Sequence, residues 1–345
     1  MSTPRDEGFF MPAEWRQHSR CLMAWPCREA LWGERLEAAR DAYCEVAEAI
    51  SHFEPVTLLT PPAELASASM RTGGAVSTLP LEIDDSWMRD NGPTFLTDAE
   101  GNLAGVDWVF NAWGRKYEDF DRDDAVPAKL LERAKLPRFR APLVMEGGSF
   151  HVDGEGTLIT TESCLLNPNR NPDLSKEEIE AHLKAYLGVT KIIWLFGDPL
   201  EVGTDGHVDN LACFVKPGTV LALAPAKDSV ANREALEENL KRLRAAEDAA
   251  GRKLEVIEVP QPQRIHEDYY GEPFHGSYVN FYLANGGLVM PSFEDPNDGT
   301  ARGIVQAAFP DRETVVVPGS DVVYGGGCIH CITQQQPAAP ADSPN

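Results

Sequence analysis

Five polar, glycine-flanked clusters punctuate the chain: SWMRDNGPTF at 86–95, MEGGSFHV at 145–152, TDGHVDNLACF at 204–214, HGSYVNFY at 275–282 and YGGGCIHCITQQ at 324–335. Together they offer one thiol (Cys331), one imidazole (His207) and three carboxylates (Asp90, Glu146 and Asp209). Singly, each has a bland reading. A lone cysteine is usually a small buried hydrophobe, and a lone aspartate often caps a turn. As a set they point to one chemistry. Paired carboxylates match the planar fork of a guanidinium bidentately. A cysteine beside a bound cation and a histidine is held as thiolate below its ordinary range and can attack the central carbon.

Two details sharpen that reading. The glycines at 325–327 let a substrate approach the backbone ahead of Cys331. His207 and Asp209, two apart in an expected strand, share a face. A metal site built from Cys328, His330 and Cys331 is disfavoured, because adjacent strand residues point to opposite faces. No metal is therefore expected. A Cys-His hydrolase of peptide bonds would leave three carboxylates unexplained.

The elements that must position these residues repeat. Hairpins are expected at 93–98 with 103–110, 149–152 with 157–161, 208–215 with 219–224, and 278–284 with 288–292. Their turn glycines, Gly101, Gly156, Gly218 and Gly287, are spaced 55, 62 and 69 residues apart. Helices are expected at 29–50, 123–136, 175–187 (with a Ser175/Glu178 capping box), 228–250 (capped by Asp228) and 298–309 (capped by Asp298). Short apolar strands follow at 56–60, 191–196, 254–260 and 313–318. A fifth hairpin assembles if HCITQ at 330–334 pairs with CLMAW at 21–25. The expected fold is α/β: five ββαβ units of pseudo-five-fold symmetry, closed into a ring by the two terminal strands, in one domain over 1–337 with a disordered tail at 338–345. A (β/α)8 barrel would need eight helices, and CLMAWPCREA lacks the glycine fingerprint of a dinucleotide fold.

Composition narrows the partners. Thirty-one Lys and Arg stand against 54 Asp and Glu, a net charge of −23. Such a surface repels nucleic acid and anionic membranes and gathers cations, which favours a small cationic substrate. Seven cysteines, an odd number without paired CxxC motifs, indicate free thiols in a reducing, cytoplasmic setting. No signal peptide and no long apolar span are expected. The exposed helix faces offer surface for a homo-oligomer.

The motifs SWMRDNGPTF, FNAWGRKY, EGGSFHVDGEGTLITTESCLLNPNRNP, TDGHVDNLACFV, SYVNFYLANGGLVMPSFEDPND and GGGCIHCITQQ resemble those of the agmatine deiminases. These form a branch of the guanidino-modifying superfamily, whose fold is a five-bladed ββαβ propeller of the pentein type. The likeness runs from MPAEW at 11 to 337. It implies hydrolysis of agmatine to N-carbamoylputrescine and ammonia, within putrescine (polyamine) biosynthesis from arginine, with no metal or organic cofactor. It assigns Cys331 as nucleophile and His207 as general acid/base. Asp90 and Asp209 become the carboxylates holding the guanidinium, and Glu146 the support of the histidine and substrate nitrogens. Trp87 becomes a wall against the methylene chain, and Trp113 a second substrate contact. Asp205 is the candidate to meet the substrate amine. Two positions depart from the family pattern: Cys328 stands for a usual Asn and Arg115 for a usual Gly. The rival readings are a deiminase of arginine or peptidyl-arginine, an amidine transferase, and an inactive polyamine-binding ring.

Overall fold

Four times along the chain a tight hairpin leads into a helix and then a strand parallel to the hairpin's second arm. The computed structural model describes residues 2–227, 231–267, 271, 273–274 and 276–339. In chain order the units are Thr94–Thr97, Leu103–Val109 and Arg138–Val144; Phe150–Val152, Thr157–Thr161 and Lys191–Leu195; Ala212–Lys216, Thr219–Ala224 and Glu255–Pro260; and Tyr282–Ala284, Gly287–Ser292 and Glu313–Pro318. Each pairs its first two strands antiparallel and its last two parallel. The fifth sheet takes Gln334–Pro337 from the C-terminal end and sets it antiparallel to His18–Ala24, which pairs in parallel with Val56–Thr60. The result is a mixed α/β fold. A fourth strand, Ser77–Pro80, extends that last sheet, and a two-stranded ribbon, His266–Glu267 with Pro273–Phe274, stands apart.

Each unit's helix packs through the stripe that its sequence period sets. Helix Leu36–Ser51 buries Ala39, Tyr43, Val46, Ala47 and Ile50. Helix Lys176–Leu187 buries Ile179, Leu183 and Leu187 behind a complete Ser175/Glu178 capping box. Helix Arg233–Ala245 buries Leu236, Leu240 and Leu243, each such burial stabilising by about 1.5–3 kcal/mol. Helices Val126–Ala134 and Asp298–Ala308 complete the set.

Several boundaries differ from expectation for local reasons. The first helix does not run from 29: Gly33 at φ +49 follows the short turn Glu29–Trp32, and the long helix begins at Leu36. Asp298 is the first helical residue rather than the cap. Its carboxylate instead gathers the Phe293 and Asp295 amides and the Tyr278 hydroxyl. The cap assigned to Asp228 lies outside the described residues, and that helix starts after Asn232. Strand Arg138–Val144 was hidden by its arginines. Arg138 and Arg140 both reach the buried carboxylate of Asp107 at 2.5 Å, so charge rather than apolar alternation fixes this strand. The terminal pairing is real but shifted. His18 faces Pro337 and Leu22 faces Gln334, whereas residues 330–333 precede the strand in a turn tied by the Thr333 hydroxyl to the carbonyls of Ile329 and His330.

Candidate active site

The five polar clusters sit at the entrance to each hairpin, but not as extended strand. Asp90 lies in the helical turn Met88–Asn91. Glu146 precedes the 3-10 turn Gly147–Ser149, and His207 precedes the 3-10 turn Val208–Asn210 that carries Asp209. Cys331 lies in the turn before Gln334. The shared strand face expected for His207 and Asp209 is therefore replaced by a tight turn, which brings both side chains to the same neighbours.

These turns are stitched to one another. The Arg89 amide donates to the Cys331 carbonyl at 3.1 Å. The Gly148 amide donates to Asp90 Oδ1 at 2.9 Å. The Ser277 hydroxyl donates to the Asn210 carbonyl at 2.8 Å, and the His330 amide donates to Asn280 Oδ1 at 2.8 Å. Gly147 and Gly148 are required by proximity: a Cβ on Gly147 would lie 2.1 Å from the Arg89 carbonyl. One on Gly148 would lie within 2.9 Å of His207 Nδ1, Asp209 Oδ2 and Asp90 Oδ1 together.

A cleft lined by Trp87, Asp90, Trp113, Lys116, Tyr117, Thr204 and the glycines at 325–327 leads to Cys331. Trp87 stacks on the buried Trp32 with centroids 6.0 Å apart. The glycine run has a different reason from substrate approach alone. A Cβ on Gly325 or Gly327 would lie 2.3 Å from the indoles of Trp32 or Trp87, so these glycines let the two rings close in; only Gly326, at φ +93, faces open space. The Trp113 indole donates to Asp90 Oδ2 at 2.8 Å.

Behind the lining lies a buried charged layer. Cys331 Sγ is 3.6 Å from Asp209 Oδ2, and His207 Nδ1 is 3.8 Å from Asp90 Oδ1. His207 Nε2 is 3.5 Å from Glu146 Oε2. Both ring nitrogens of His207 and Oδ1 of Asp209 are buried without a hydrogen bond. Such orphaned atoms are costly unless something else meets them.

The electrostatics divide acid from base. Burial alone would depress the His207 imidazole; the Asp90 charge, with Cys164 and Glu146, outweighs it and holds its pKa well above the ordinary value. Burial would raise Glu146, but Arg170 and then His207 bring it down to about 2. Burial raises Asp90, and Asp209 and Glu146 add to this against the opposing pull of His207. Burial also works against Asp209, yet His330 and His207 bring it below the ordinary carboxylate range. The Cys331 thiol is pushed well above its ordinary value by burial, then by Asp209 and Asp90. These shifts favour imidazolium on His207 and thiol on Cys331, and a cation placed between the carboxylates would favour the thiolate.

Two positions singled out in the motifs lie outside the cleft lining. Asp205 is not in the lining: its Oδ2 is held by Arg170 at 2.7 Å, Asn169 at 2.9 Å and Lys116 at 3.1 Å. Arg115 is exposed at φ +62 and also outside the lining. The cation at the cleft is its neighbour Lys116, whose ammonium donates to the carbonyls of Val202 and Gly203 as well as to Asp205. Arg89, in the helical turn Met88–Asn91, points away from the cleft to Glu14.

Four residues of this buried network, Arg170, His330, Asn280 and Glu14, stood outside the expected site set. Arg170, with a fully buried side chain, bridges Glu146 and Asp205 at 2.7 Å each. His330 links Asp209 at 3.0 Å to Glu14 at 3.0 Å. Asn280 places Nδ2 3.3 Å from Cys331 Sγ. All four lie inside the motif segments MPAEW, NPNRNP, SYVNFY and GCIHC, which was the available signal. His330 and Cys331 both reach Asp209, so the opposite-faces argument against a shared site fails for a turn. Glu146, Cys164 and His207 group ligand-type atoms within 4.8 Å among the described residues. The Arg170 guanidinium on Glu146 already supplies the cation there.

Comparison with known proteins places this site in context. The family model for the Porphyromonas-type peptidyl-arginine deiminases matches residues 10–337. The chain is 46% identical to the agmatine deiminase of Stutzerimonas stutzeri, covering 98% of each. It superposes with a TM-score of 0.93 on the agmatine deiminase of Enterococcus faecalis, at 37% identity and 98% coverage of each. It superposes with a TM-score of 0.87 on a substrate-bound cysteine-to-serine variant of the C. jejuni agmatine deiminase, at 27% identity, covering 96% of this chain and 97% of that one.

Proposed function

The chain belongs to the Porphyromonas-type peptidyl-arginine deiminase family, on its agmatine deiminase branch, and from that premise we propose that it hydrolyses agmatine to N-carbamoylputrescine and ammonia through a covalent intermediate on Cys331. The observation that carries this is the layer of Asp90, Glu146, His207 and Asp209 gathered within ion-pair reach around one cleft cysteine.

In this reading the guanidinium sits between Asp90 and Asp209, and the buried Oδ1 of Asp209 finds its donor there. The added positive charge favours loss of the Cys331 proton to solvent, and the thiolate forms a bond to the guanidinium carbon as the C=N π pair moves onto nitrogen. The C–N bond to one terminal nitrogen then breaks as His207, protonated at rest, gives that nitrogen the proton with which it leaves as ammonia. Neutral His207 next takes a proton from water as its oxygen bonds to the carbon. The C–S bond breaks, the remaining hydroxyl proton passes to the departing sulfur as the ureido C=O forms, and the Cys331 thiol and protonated His207 are restored. Glu146, fixed by Arg170, keeps the imidazole oriented and positively charged between turnovers. Trp87 and Trp113 wall the methylene chain.

Substrate choice follows from the cations. An α-carboxylate would need a partner, because burying it alone is costly. Lys116 lines the cleft, but its ammonium already has three acceptors. Arg89 and Arg170 are buried on their own carboxylates. This favours agmatine over arginine. The five units are read as one propeller domain over 1–337, which the turn-to-turn hydrogen bonds support. Seven free cysteines fit a reducing, cytoplasmic setting, and the product is one hydrolysis from putrescine, within polyamine supply. No helix among the described residues is long and apolar enough to cross a membrane.

The test is an acid quench during turnover, followed by peptide mass spectrometry. An adduct of agmatine less ammonia is expected on the peptide carrying Cys331. Its appearance on another cysteine would overturn the assignment.

A further inference from the structure

The fourth polar cluster, SYVNFY, contributes no residue to the chemistry described above, although the four other turns each do. From its turn, we infer that the side-chain amide of Asn280 is a catalytic hydrogen-bond donor to the Cys331 sulfur, and that a buried chain running back to Glu201 fixes which way that amide faces. This rests on the reading of Cys331 as the nucleophile.

An amide side chain presents a donor at one end and an acceptor at the other, so its direction must come from its neighbours. Asn280 is fully buried. Its Oδ1 lies 2.8 Å from the backbone N–H of His330, a group that can only donate. Nδ2 is therefore the donor end and the nearer to Cys331 Sγ, at 3.3 Å, while Oδ1, at 3.6 Å, can accept only from the neutral thiol. The same Nδ2 donates to Asn210 Oδ1 at 2.8 Å, and Asn210 Nδ2 donates to Glu201 Oε2 at 2.9 Å. Glu201 Oε2 also accepts the Thr204 hydroxyl at 3.0 Å. Turning the Asn280 amide over would oppose donor to donor at His330 and acceptor to acceptor at Asn210. The direction is thus locked from both ends.

The sulfur needs this donor because its other neighbours oppose the thiolate. Asp209 Oδ2 stands 3.6 Å away, and Asp90 faces the same cleft. The cations nearby are already committed: His330 lies between Asp209 and Glu14, Arg89 is on Glu14, and His207 lies between Asp90 and Glu146. Against the two carboxylates stand the Asn280 amide and the Cys328 backbone amide, both of which favour the charged sulfur. A donor here acts twice in each cycle. It stabilises the thiolate before the S–C bond forms, and again as sulfur leaves when that bond breaks.

The experiment follows iodoacetamide alkylation of the Cys331 peptide by mass spectrometry between about pH 6 and 10, beside ammonia release from agmatine. The proteins are wild type, Asn280→Ala, Asn280→Asp, Asn210→Ala and Cys331→Ser. Asn280→Ala is expected to slow alkylation near neutral pH by about ten-fold and move its pH profile up by about one unit. It should lower kcat by about 10–100-fold, with KM within about three-fold. Asn280→Asp, which replaces the donor by a charge, should be worse on both readouts. Asn210→Ala, which does not touch sulfur, should move both in the same direction by less. An unmoved alkylation profile in Asn280→Ala, whatever happens to turnover, would reduce Asn280 to a packing role and overturn the inference. If Asn280→Ala does not fold, an unmoved profile in Asn210→Ala does the same. Turnover surviving in Cys331→Ser would instead defeat the nucleophile assignment, a separate failure.

Discussion

Replacing Arg170 by Gln removes the guanidinium that holds Glu146 and Asp205 together. The guanidinium donates through Nε to Glu146 Oε1 at 2.7 Å, and through Nη1 to Asp205 Oδ2 at 2.7 Å and Asn169 Oδ1 at 2.7 Å. Asp205 keeps Lys116 and Asn169. Glu146 keeps only His207 at 3.5 Å and the Cys164 thiol at 3.9 Å. Breaking a buried pair from one side costs about 3–5 kcal/mol, because the remaining charge is left in low dielectric. With unfolding entropy of about 2.1 cal/mol/K per residue, a chain this long should lose about 4–7 °C of Tm. The pH dependence has a definite sign. Glu146, depressed to about 2, contributes stability that is present above its ordinary value of 4.5 and lost as pH falls through about 2. Without Arg170 that contribution is gone, so the deficit should be widest at neutral pH and narrow on acidification. Calorimetry at about pH 7 and pH 4 reads this directly. The double variant Arg170→Gln/Glu146→Gln, with no orphaned charge on that side, should recover stability over the single one. A neutral-pH Tm within about 1 °C of wild type, or a double variant no better than the single, would refute the reasoning.

Other outcomes follow from the same geometry. Cys331→Ser should lose nearly all turnover while Cys328→Ser keeps most of it, since Cys328 is fully buried with its thiol pushed up to about 12; rates and cysteine-resolved labelling would show it. Asp209→Asn removes a charge from the guanidinium site and should lower kcat/KM by about 10–150-fold in steady-state assays. Asp123, raised to about 8 by burial and by Asp85, loses stability as pH rises from its ordinary range through about 8. Asp123→Asn keeps an acceptor for the amides of Asp84 and Asp85. It should match wild type near pH 4 and exceed it in denaturant midpoint near pH 9.

Much of this architecture could be read from the chain because each unit repeats local signals. The Ser175/Glu178 box and the Leu236, Leu240 and Leu243 stripe are short-range patterns that tertiary packing did not override. Strand Arg138–Val144 could not be read, because the partner that makes it a strand, Asp107, is distant in sequence. The same limit hid Arg170, His330, Asn280 and Glu14: their meaning comes only from what other turns place beside them. The residue types of the site were legible from their clusters. Their backbone was not, since Ile329 and Ile332 look like strand but are buried in a turn whose carbonyls the Thr333 hydroxyl ties down. The pairing of Asp205 was not legible, because a carboxylate in a motif says nothing about the cations that fold onto it.

The most direct test measures initial ammonia release from agmatine and from arginine at two ionic strengths, with the product identified by mass spectrometry. Wild type, Cys331→Ser and Arg115→Gly suffice. The account predicts N-carbamoylputrescine from agmatine, at a kcat/KM at least ~100-fold above that for arginine, about 2.7 kcal/mol. That efficiency should fall as salt screens the −23 net charge. Arg115→Gly should leave the preference intact, because Arg115 is outside the cleft lining, and Cys331→Ser should release no ammonia. Equal efficiency on arginine that disappears in Arg115→Gly, or ammonia release from Cys331→Ser, would contradict it.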